Sequence, residues 1–261
     1  MPLCRGRRTP LAPGTQLSQQ QGEQTGSSRY AELVGGLQYA AQHTRLDLAH
    51  SVALLSRFMA APTDQHWIAA QGVLQYFGGS KSVGILYGGK PSSRSSFSSQ
   101  VVGFGDASLG GCPDTGRSTE GYVFMLFGGA VGWKSKRQQC VTRSTAASEY
   151  LAAASLVAEA LWFRKLQQDL QMGGSSKSNS SSIQLYTDNA AALSILHNPI
   201  QTKGTKHIDL AYYFARERTQ QQEVTFSHVS TERNVADILT KPLQPERFHS
   251  LLRMIGCVSL G

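Results

Sequence analysis

Cysteine is scarce in this chain of 261 residues, which contains four: Cys4, Cys112, Cys140 and Cys257. They are widely separated, so no Cys-x-x-Cys pair is available for a zinc site and no framework of disulfides is indicated. We therefore predict a protein with no disulfide partner in a reducing compartment.

Long apolar runs are also lacking, because no segment reaches the ~18 consecutive apolar residues of a membrane span. The first residues, "MPLCRGRRTPLAPG", lack the apolar centre of a secretory signal. We expect an intracellular protein, cytoplasmic or nuclear, which is not secreted and does not enter a membrane.

Acidic residues are outnumbered, with 17 Asp and Glu against 25 Lys and Arg, a formal net charge of +8. Such a balance favours polyanionic partners, of which nucleic acid is the commonest. Charge alone leaves open the alternative of an ordinary basic protein. The 40% of hydrophobic residues are enough for one large domain or two small ones.

The composition and hydrophobic periodicity divide the chain into five parts. Residues 1–28 are rich in Gln, Gly and Ser and are predicted to be disordered, and 29–90 are mainly helical. Residues 91–100 have the composition of a linker. Residues 101–242 have the order β-β-β-α-β-α-α-β and end in a further helical stretch, and 243–261 close the chain with a helix. This pattern predicts an α/β fold with a mixed sheet and flanking helices, preceded by a small helical subdomain.

Four acids lie at junctions of the predicted elements. Asp106 ends the strand "VVGFG", and Asp188 ends the strand "IQLYT". Glu149 heads an otherwise apolar stripe of a long helix, which should face the sheet. Asp237 lies near the start of a late helix. Taken singly, Asp188 is a helix cap, Asp106 a turn residue and Asp237 a first-turn acid; Glu149 has the weakest structural explanation of this kind.

Taken together, these acids can meet at one edge of the sheet. Carboxylates so close repel one another and raise one another's pKa unless cations bind between them. Oxygen ligands suit Mg²⁺ or Mn²⁺, and two such ions ~4 Å apart can hold the attacking water and the leaving oxygen of a phosphodiester. The grouping therefore predicts a site for two divalent cations.

Several stretches then carry a family resemblance, in the family's own order. They include "TPLAPGTQLS", "YAELVGGLQYAAQHTRLDLAHSVALLSRFMAAPTDQHW", "GRSTEGYVFMLFGGAVGWKSKRQ", "STAASEY", "YTDNAAAL", "TKHIDLAYYF" and "ADILTKPL". From about Thr9 to its end, the chain resembles the C-terminal part of the copia-type retrotransposon Pol polyprotein, namely the thumb and connection end of reverse transcriptase followed by ribonuclease H. The paired Asp-Asp motif of a polymerase palm does not occur in the sequence.

The resemblance implies a ribonuclease H-like five-stranded mixed sheet. It also implies an enzyme that cuts the RNA strand of an RNA–DNA hybrid. A polymerase palm supplied by another chain is a further expected partner. It implies Asp106, Glu149, Asp188 and Asp237 as catalytic metal ligands for two Mg²⁺ or Mn²⁺ ions. The chain departs from the family at "DASLGGC", where two further acids and a Trp are replaced, and at Ala147. Four family basic positions of an upstream helix have also changed: Gln71, Gly72, Gln75 and Gly78. These changes motivate the alternative of a catalytically silent remnant that binds nucleic acid.

Two basic stretches are predicted to contact nucleic acid. "WKSKRQ" contains Lys134, Lys136 and Arg137, and strand alternation sends the two lysines to one face and the arginine to the other. "TKGTKHID" contains Lys203, Lys206 and His207. The alternatives are a solvated strand end for the first stretch and the start of a helix for the second.

Overall fold

The upstream part of the computed structural model is helical. The structure describes residues 7–19, 22–24, 26–88, 100–170, 182–197 and 209–259. The elements before residue 100 are α1 (Ser27–His43), a 3₁₀ turn (Leu46–Leu48), α2 (Ala49–Leu55), a 3₁₀ turn (Ser56–Phe58), α3 (Asp64–Gly79) and β1 (Val83–Ile85). Residues 89–99, which contain most of the predicted linker, lie outside the described residues.

Strands and helices then alternate as the sequence predicts. They are β2 (Val102–Ser108), β3 (Thr119–Leu126), β4 (Gly129–Arg137), α4 (Thr145–Asp169), β5 (Ile183–Thr187), α5 (Ala190–His197), α6 (Asp209–Gln220), β6 (Val224–His228), 3₁₀ turns (Thr231–Arg233 and Val235–Leu239), α7 (Pro245–Met254) and β7 (Cys257–Ser259). The late helix expected around Asp237 is thus a 3₁₀ turn. The C-terminal helix is present as α7, with β7 after it.

The main sheet has five strands in the order β4-β3-β2-β5-β6. β2 pairs antiparallel with β3, and β3 with β4. On its other side β2 pairs parallel with β5, and β5 with β6. The predicted mixed sheet with flanking helices is therefore confirmed, with β2 at its centre.

A second, two-stranded sheet joins the end of the upstream segment to the last described residues of the chain. β1 pairs antiparallel with β7, from Val83 opposite Ser259 to Ile85 opposite Cys257. The predicted division between residues 29–90 and 101–242 stays a prediction. One apolar cluster includes Val34 and Leu55 of the upstream helices together with Val123 of β3. The upstream segment thus shares its core with the sheet.

The beginning of the chain differs from the prediction of a disordered lead-in. Leu11 and Leu17 are buried in the same apolar cluster as the upstream helices, with 3% and 6% of their surface exposed. Their burial removes apolar area from water, which stabilises a defined position for residues 7–19. The prediction was wrong for this part because it relied on average composition, in which two leucines carry little weight.

Helix α4 packs closely against β2. Its predicted apolar stripe is buried and comprises Ala152, Ala153, Leu156, Ala160 and Phe163. A Cβ added to Gly103 would lie 3.1 Å from Leu156 Cδ1, and one added to Gly105 would lie 3.0 Å from Leu156 Cδ2. The two glycines therefore let the helix approach the strand at the end where Asp106 and Glu149 lie.

No helix that the structure describes combines the length and the apolar character needed to cross a bilayer.

Candidate metal centre

Asp106 and Asp188 lie side by side because their strands are parallel neighbours. In the pairing of β2 with β5, Phe104 lies opposite Tyr186. Each aspartate comes two residues after that pair, so both lie at the same end of the sheet and on the same side of their strands. Asp106 is buried, with 4% of its surface exposed, whereas Asp188 is half-buried.

Glu149 completes a cluster of three acids. It lies in the second turn of α4, which begins after the cap Ser144, and 6% of its surface is exposed. Carboxylate oxygens of Asp106, Glu149 and Asp188 lie within 4.8 Å of one another. The backbone N–H of Ala107 donates a hydrogen bond to the Glu149 carboxylate. Three of the four predicted ligands are therefore brought together.

In the absence of a cation, the surroundings of Glu149 and Asp106 raise the pKa of both carboxyl groups. Burial raises the pKa of Glu149 to about 9, and the charges of Asp106 and Asp188 add to the effect. Burial, reinforced by the charge of Asp237, raises the pKa of Asp106 to about 6, against the hydrogen bond from Thr240. A bound cation would act in the opposite direction, because it stabilises the ionised form of each ligand.

Asp237 lies close enough to raise the pKa of Asp106 but outside the cluster of three. Its carboxylate forms ion pairs with Lys241 and with Arg247, whose Nη2 lies 2.7 Å from Oδ2. Only 2% of its surface is exposed. The fourth predicted ligand therefore has cationic partners within the chain, and its role as a metal ligand stays a prediction.

Polar side chains of the segment after β6 orient the acids. Asn234 is fully buried, and its Nδ2 donates to Asp188 Oδ1 at 3.1 Å and to the Gly105 carbonyl at 3.0 Å. The Thr240 hydroxyl donates to Asp106 Oδ2. We did not predict these roles from the sequence. The spacing of Asp237 and Lys241, four residues apart, signals only the ion pair between those two residues, since such pairs often interact.

The predicted nucleic-acid contacts on β4 divide between the two faces of the sheet. Lys136 forms an ion pair with the buried Glu120, with Nζ and Oε1 3.0 Å apart. Lys134 is exposed and lies opposite Tyr122. Arg137 lies opposite Thr119 and donates from Nη1 to Cys112 Sγ at 3.4 Å. Their contacts with nucleic acid stay predictions, and Lys203, Lys206 and His207 lie outside the described residues.

Comparison with known proteins finds relatives among transposon polyproteins, while no family model matches the chain. The chain is 33% identical over 227 residues to the retrovirus-related Pol polyprotein from transposon TNT 1-94 of Nicotiana tabacum, covering 87% of the chain and 16% of that relative. It is 36% identical over 253 residues to the corresponding polyprotein from transposon RE2 of Arabidopsis thaliana, covering 97% and 17%. The chain thus spans about one sixth of the length of these relatives.

Solved structures with a similar arrangement include ribonuclease H domains. One is the N-terminal domain of a Mycobacterium tuberculosis protein, 14% identical, with a TM-score of 0.39 and covering 60% of this chain and 98% of that one. Another is LC11-RNase H1 in complex with an RNA/DNA hybrid, 15% identical, with a TM-score of 0.37 and covering 54% and 94%. These likenesses are weak, and the strand order and directions of the main sheet remain the basis of the fold class.

The class of the protein follows from its sheet: it is an α/β protein with a mixed five-stranded sheet and flanking helices, preceded by a helical segment. The chain is homologous to one segment of the Pol polyproteins of copia-type transposons, which confirms the resemblance found in the sequence.

Proposed function

We propose that the protein hydrolyses the RNA strand of RNA–DNA hybrids with two divalent cations, Mg²⁺ or Mn²⁺, held at the acid cluster. One observation carries the proposal: three carboxylates, two of them buried, lie within 4.8 Å of one another. Among the described residues, no Lys, Arg or His forms an ion pair with Asp106, Glu149 or Asp188. Such a concentration of negative charge suits a cationic ligand.

The donor set fits hard cations, because every ligand atom of the cluster is a carboxylate oxygen. Asp106, Glu149 and Asp188 would hold the ions, with Asp237 at the periphery through its effect on Asp106. Bound there, the two ions would supply a water of lowered pKa and would stabilise the charge on the leaving oxygen.

The protein itself contributes fixed positions for the three acids. Asp106 lies in β2 and Asp188 directly follows β5, and these two strands are paired neighbours in one sheet. Thr240 orients Asp106, Asn234 orients Asp188, and the Ala107 N–H holds Glu149. Ligands held by such supporting hydrogen bonds keep the geometry that the reaction requires.

The test is a cleavage assay on a hybrid whose RNA strand is labelled, with purified protein in Mg²⁺, in Mn²⁺ and in EDTA. We expect metal-dependent cleavage by the wild type and at least a 100-fold lower rate for Asp188→Asn, on the order of the loss from removing one essential electrostatic group. Asp169→Asn is the matched control, because Asp169 is exposed at the far end of α4. It should cleave like the wild type.

Normal cleavage by Asp188→Asn would contradict the assignment of the site. Binding of the hybrid by the wild type without cleavage in either metal would favour the alternative, a silent nucleic-acid-binding remnant. Cleavage that appears only after a polymerase palm is added as a separate chain would show that such a partner is required.

A further inference from the structure

A basic pocket lies between the upstream helical segment and the end of β4. It has a volume of about 360 Å³, and its lining includes Arg57, Arg117, Ser135 and Arg137. Arg57 comes from the 3₁₀ turn after α2, and Arg137 is the last residue of β4. Both the upstream segment and the sheet therefore build this pocket.

The three arginines have no carboxylate partners within the part of the chain that the structure describes. Arg57 Nη2 donates to the Thr119 hydroxyl at 3.2 Å, and both Arg57 and Arg137 donate to the Cys112 side chain, with Arg137 Nη1 3.4 Å from Sγ. A hydroxyl and a thiol offset the positive charge of a guanidinium only weakly, because a guanidinium binds anions most strongly through paired, charge-assisted hydrogen bonds. The pocket thus has an excess of positive charge.

Two further observations point to an anionic ligand. The Ser135 hydroxyl oxygen is buried and has no hydrogen-bond partner among the described residues. Burial lowers the pKa of Arg57, and the charge of Arg137 lowers it further, although the neighbouring Cys112 acts in the opposite direction. An anion in the pocket would relieve this repulsion and accept the free donors.

The pocket opens on the same face and at the same end of the sheet as Asp106. Across the sheet, Asp106 lies opposite Gly121, and Gly121 lies opposite Ser135. Residues that are directly opposite in antiparallel strands project to the same face. Because β2 and β4 are two strand spacings apart, the backbone of Ser135 at the pocket lies about 10 Å from that of Asp106.

We propose that this pocket, formed by Arg57, Arg117 and Arg137, binds a backbone phosphate of the hybrid whose RNA strand lies at the acid cluster. The proposal rests on the proposed function in taking a nucleic-acid hybrid as the ligand. It gives the upstream segment a part in substrate binding through Arg57. Two anchoring points at the same end of the sheet set the position of the duplex relative to the acids.

The test measures binding without divalent metal, so that it does not depend on cleavage. Fluorescence anisotropy with a labelled hybrid is recorded at several salt concentrations for the wild type, Arg57→Gln, Arg117→Gln and Arg137→Gln. Lys165→Gln is the matched control, since Lys165 is exposed on α4 at about 24 Å from Glu149 along the helix. Thermal unfolding checks that each variant is folded. If Arg57→Gln does not fold, Arg117→Gln, whose residue lies on a loop, still tests the pocket.

We expect each arginine variant to bind the hybrid about tenfold more weakly, the loss of one charge-assisted contact. The magnitude of the slope of log affinity against log salt should fall by about one. Lys165→Gln should change neither quantity. Unchanged affinity and slope in the arginine variants would overturn the proposal.

Single neutral methylphosphonates, introduced one position at a time, identify the phosphate. One position should weaken binding to the wild type clearly more than it weakens binding to Arg117→Gln. Inorganic phosphate is the second probe and should raise the unfolding midpoint of the wild type more than that of Arg117→Gln. Stabilisation by inorganic phosphate without any responding position in the hybrid would assign the pocket to a free phosphate compound and overturn the backbone assignment. A protein that passes these tests but cleaves nothing would contradict only the proposed function.

Discussion

The Asn234 amide lies 3.1 Å from the Asp188 carboxylate, to which it donates a hydrogen bond. The same nitrogen donates to the carbonyl of Gly105, the residue before Asp106. One buried side chain therefore connects the ends of β2 and β5, where two of the acids lie. Its oxygen accepts from the N–H of Ala236 and caps the 3₁₀ turn that contains Asp237.

Asn234→Ala should lower Mg²⁺ affinity or the cleavage rate by about 10- to 100-fold, since supporting hydrogen bonds of metal ligands have effects of this size. The physical reason is that Asp188 loses the donor that fixes its orientation. Mg²⁺ titrations of cleavage measure both quantities. Asn189→Ala is the control, because Asn189 caps α5 by accepting from Ala192 N. An equal loss of activity in both variants would show that capping, rather than the contact with Asp188, is responsible.

The metal-free protein should lose stability as pH rises, because of Glu149. Burial, with the charges of Asp106 and Asp188, raises its folded-state pKa to about 9 from 4.5. Between these values the folded state holds a proton that the unfolded state has released, so the free energy of unfolding falls with increasing pH. Thermal unfolding in EDTA from about pH 5 to pH 9 measures this slope.

Glu149→Gln should remove that part of the pH dependence, and Glu232→Gln, at an exposed position, should leave it unchanged. Because metal binding requires the ionised carboxylate, the apparent Mg²⁺ affinity of the wild type should rise with pH over the same range. Parallel pH curves for the wild type and Glu149→Gln would contradict the assigned protonation of Glu149.

Gly121→Ala should destabilise the fold and displace the turn that contains Asp237. An added Cβ would lie 2.5 Å from Leu239 Cβ and 3.2 Å from the Leu239 carbonyl oxygen. We expect a loss of about 1–3 kcal/mol, typical of overpacking, and a lower cleavage rate at temperatures where the variant remains folded. Urea denaturation and the cleavage assay measure the two effects.

Gly35→Ala provides the comparison, because Gly35 lies in α1 and an added Cβ would contact nothing within 4 Å. That change should raise stability by up to about 1 kcal/mol through helix propensity. Equal effects of the two substitutions would show that the close contact between Gly121 and Leu239 is unimportant.

Local patterns in the sequence predicted most of the elements that form the site. The apolar strands that end at Asp106 and Asp188, and the apolar stripe below Glu149, each follow from the period of one element. Their burial in the structure agrees with those patterns. β7, which pairs with β1, was not predicted, because the pattern of the C-terminal residues indicated only a helix.

The partners of the charged groups could not be predicted in the same way. Asp237 was grouped with the other acids, yet the structure gives it Lys241 and Arg247 as partners. Lys136 was predicted as a phosphate contact, and it forms an ion pair with the buried Glu120. Such choices depend on side chains that meet only after the chain has packed, and a period in the sequence carries no information about them.

The sequence by itself determined where the acids lie along the strands and helices, because a period of two or of 3.6 residues specifies which side of an element is buried. Only the tertiary structure decided that three of the acids share one cluster, that burial raises the pKa of Glu149, and that Arg57 meets Arg137 at one pocket. The physical reason is that ionisation and anion binding depend on distances and on exclusion of water between residues far apart in the chain.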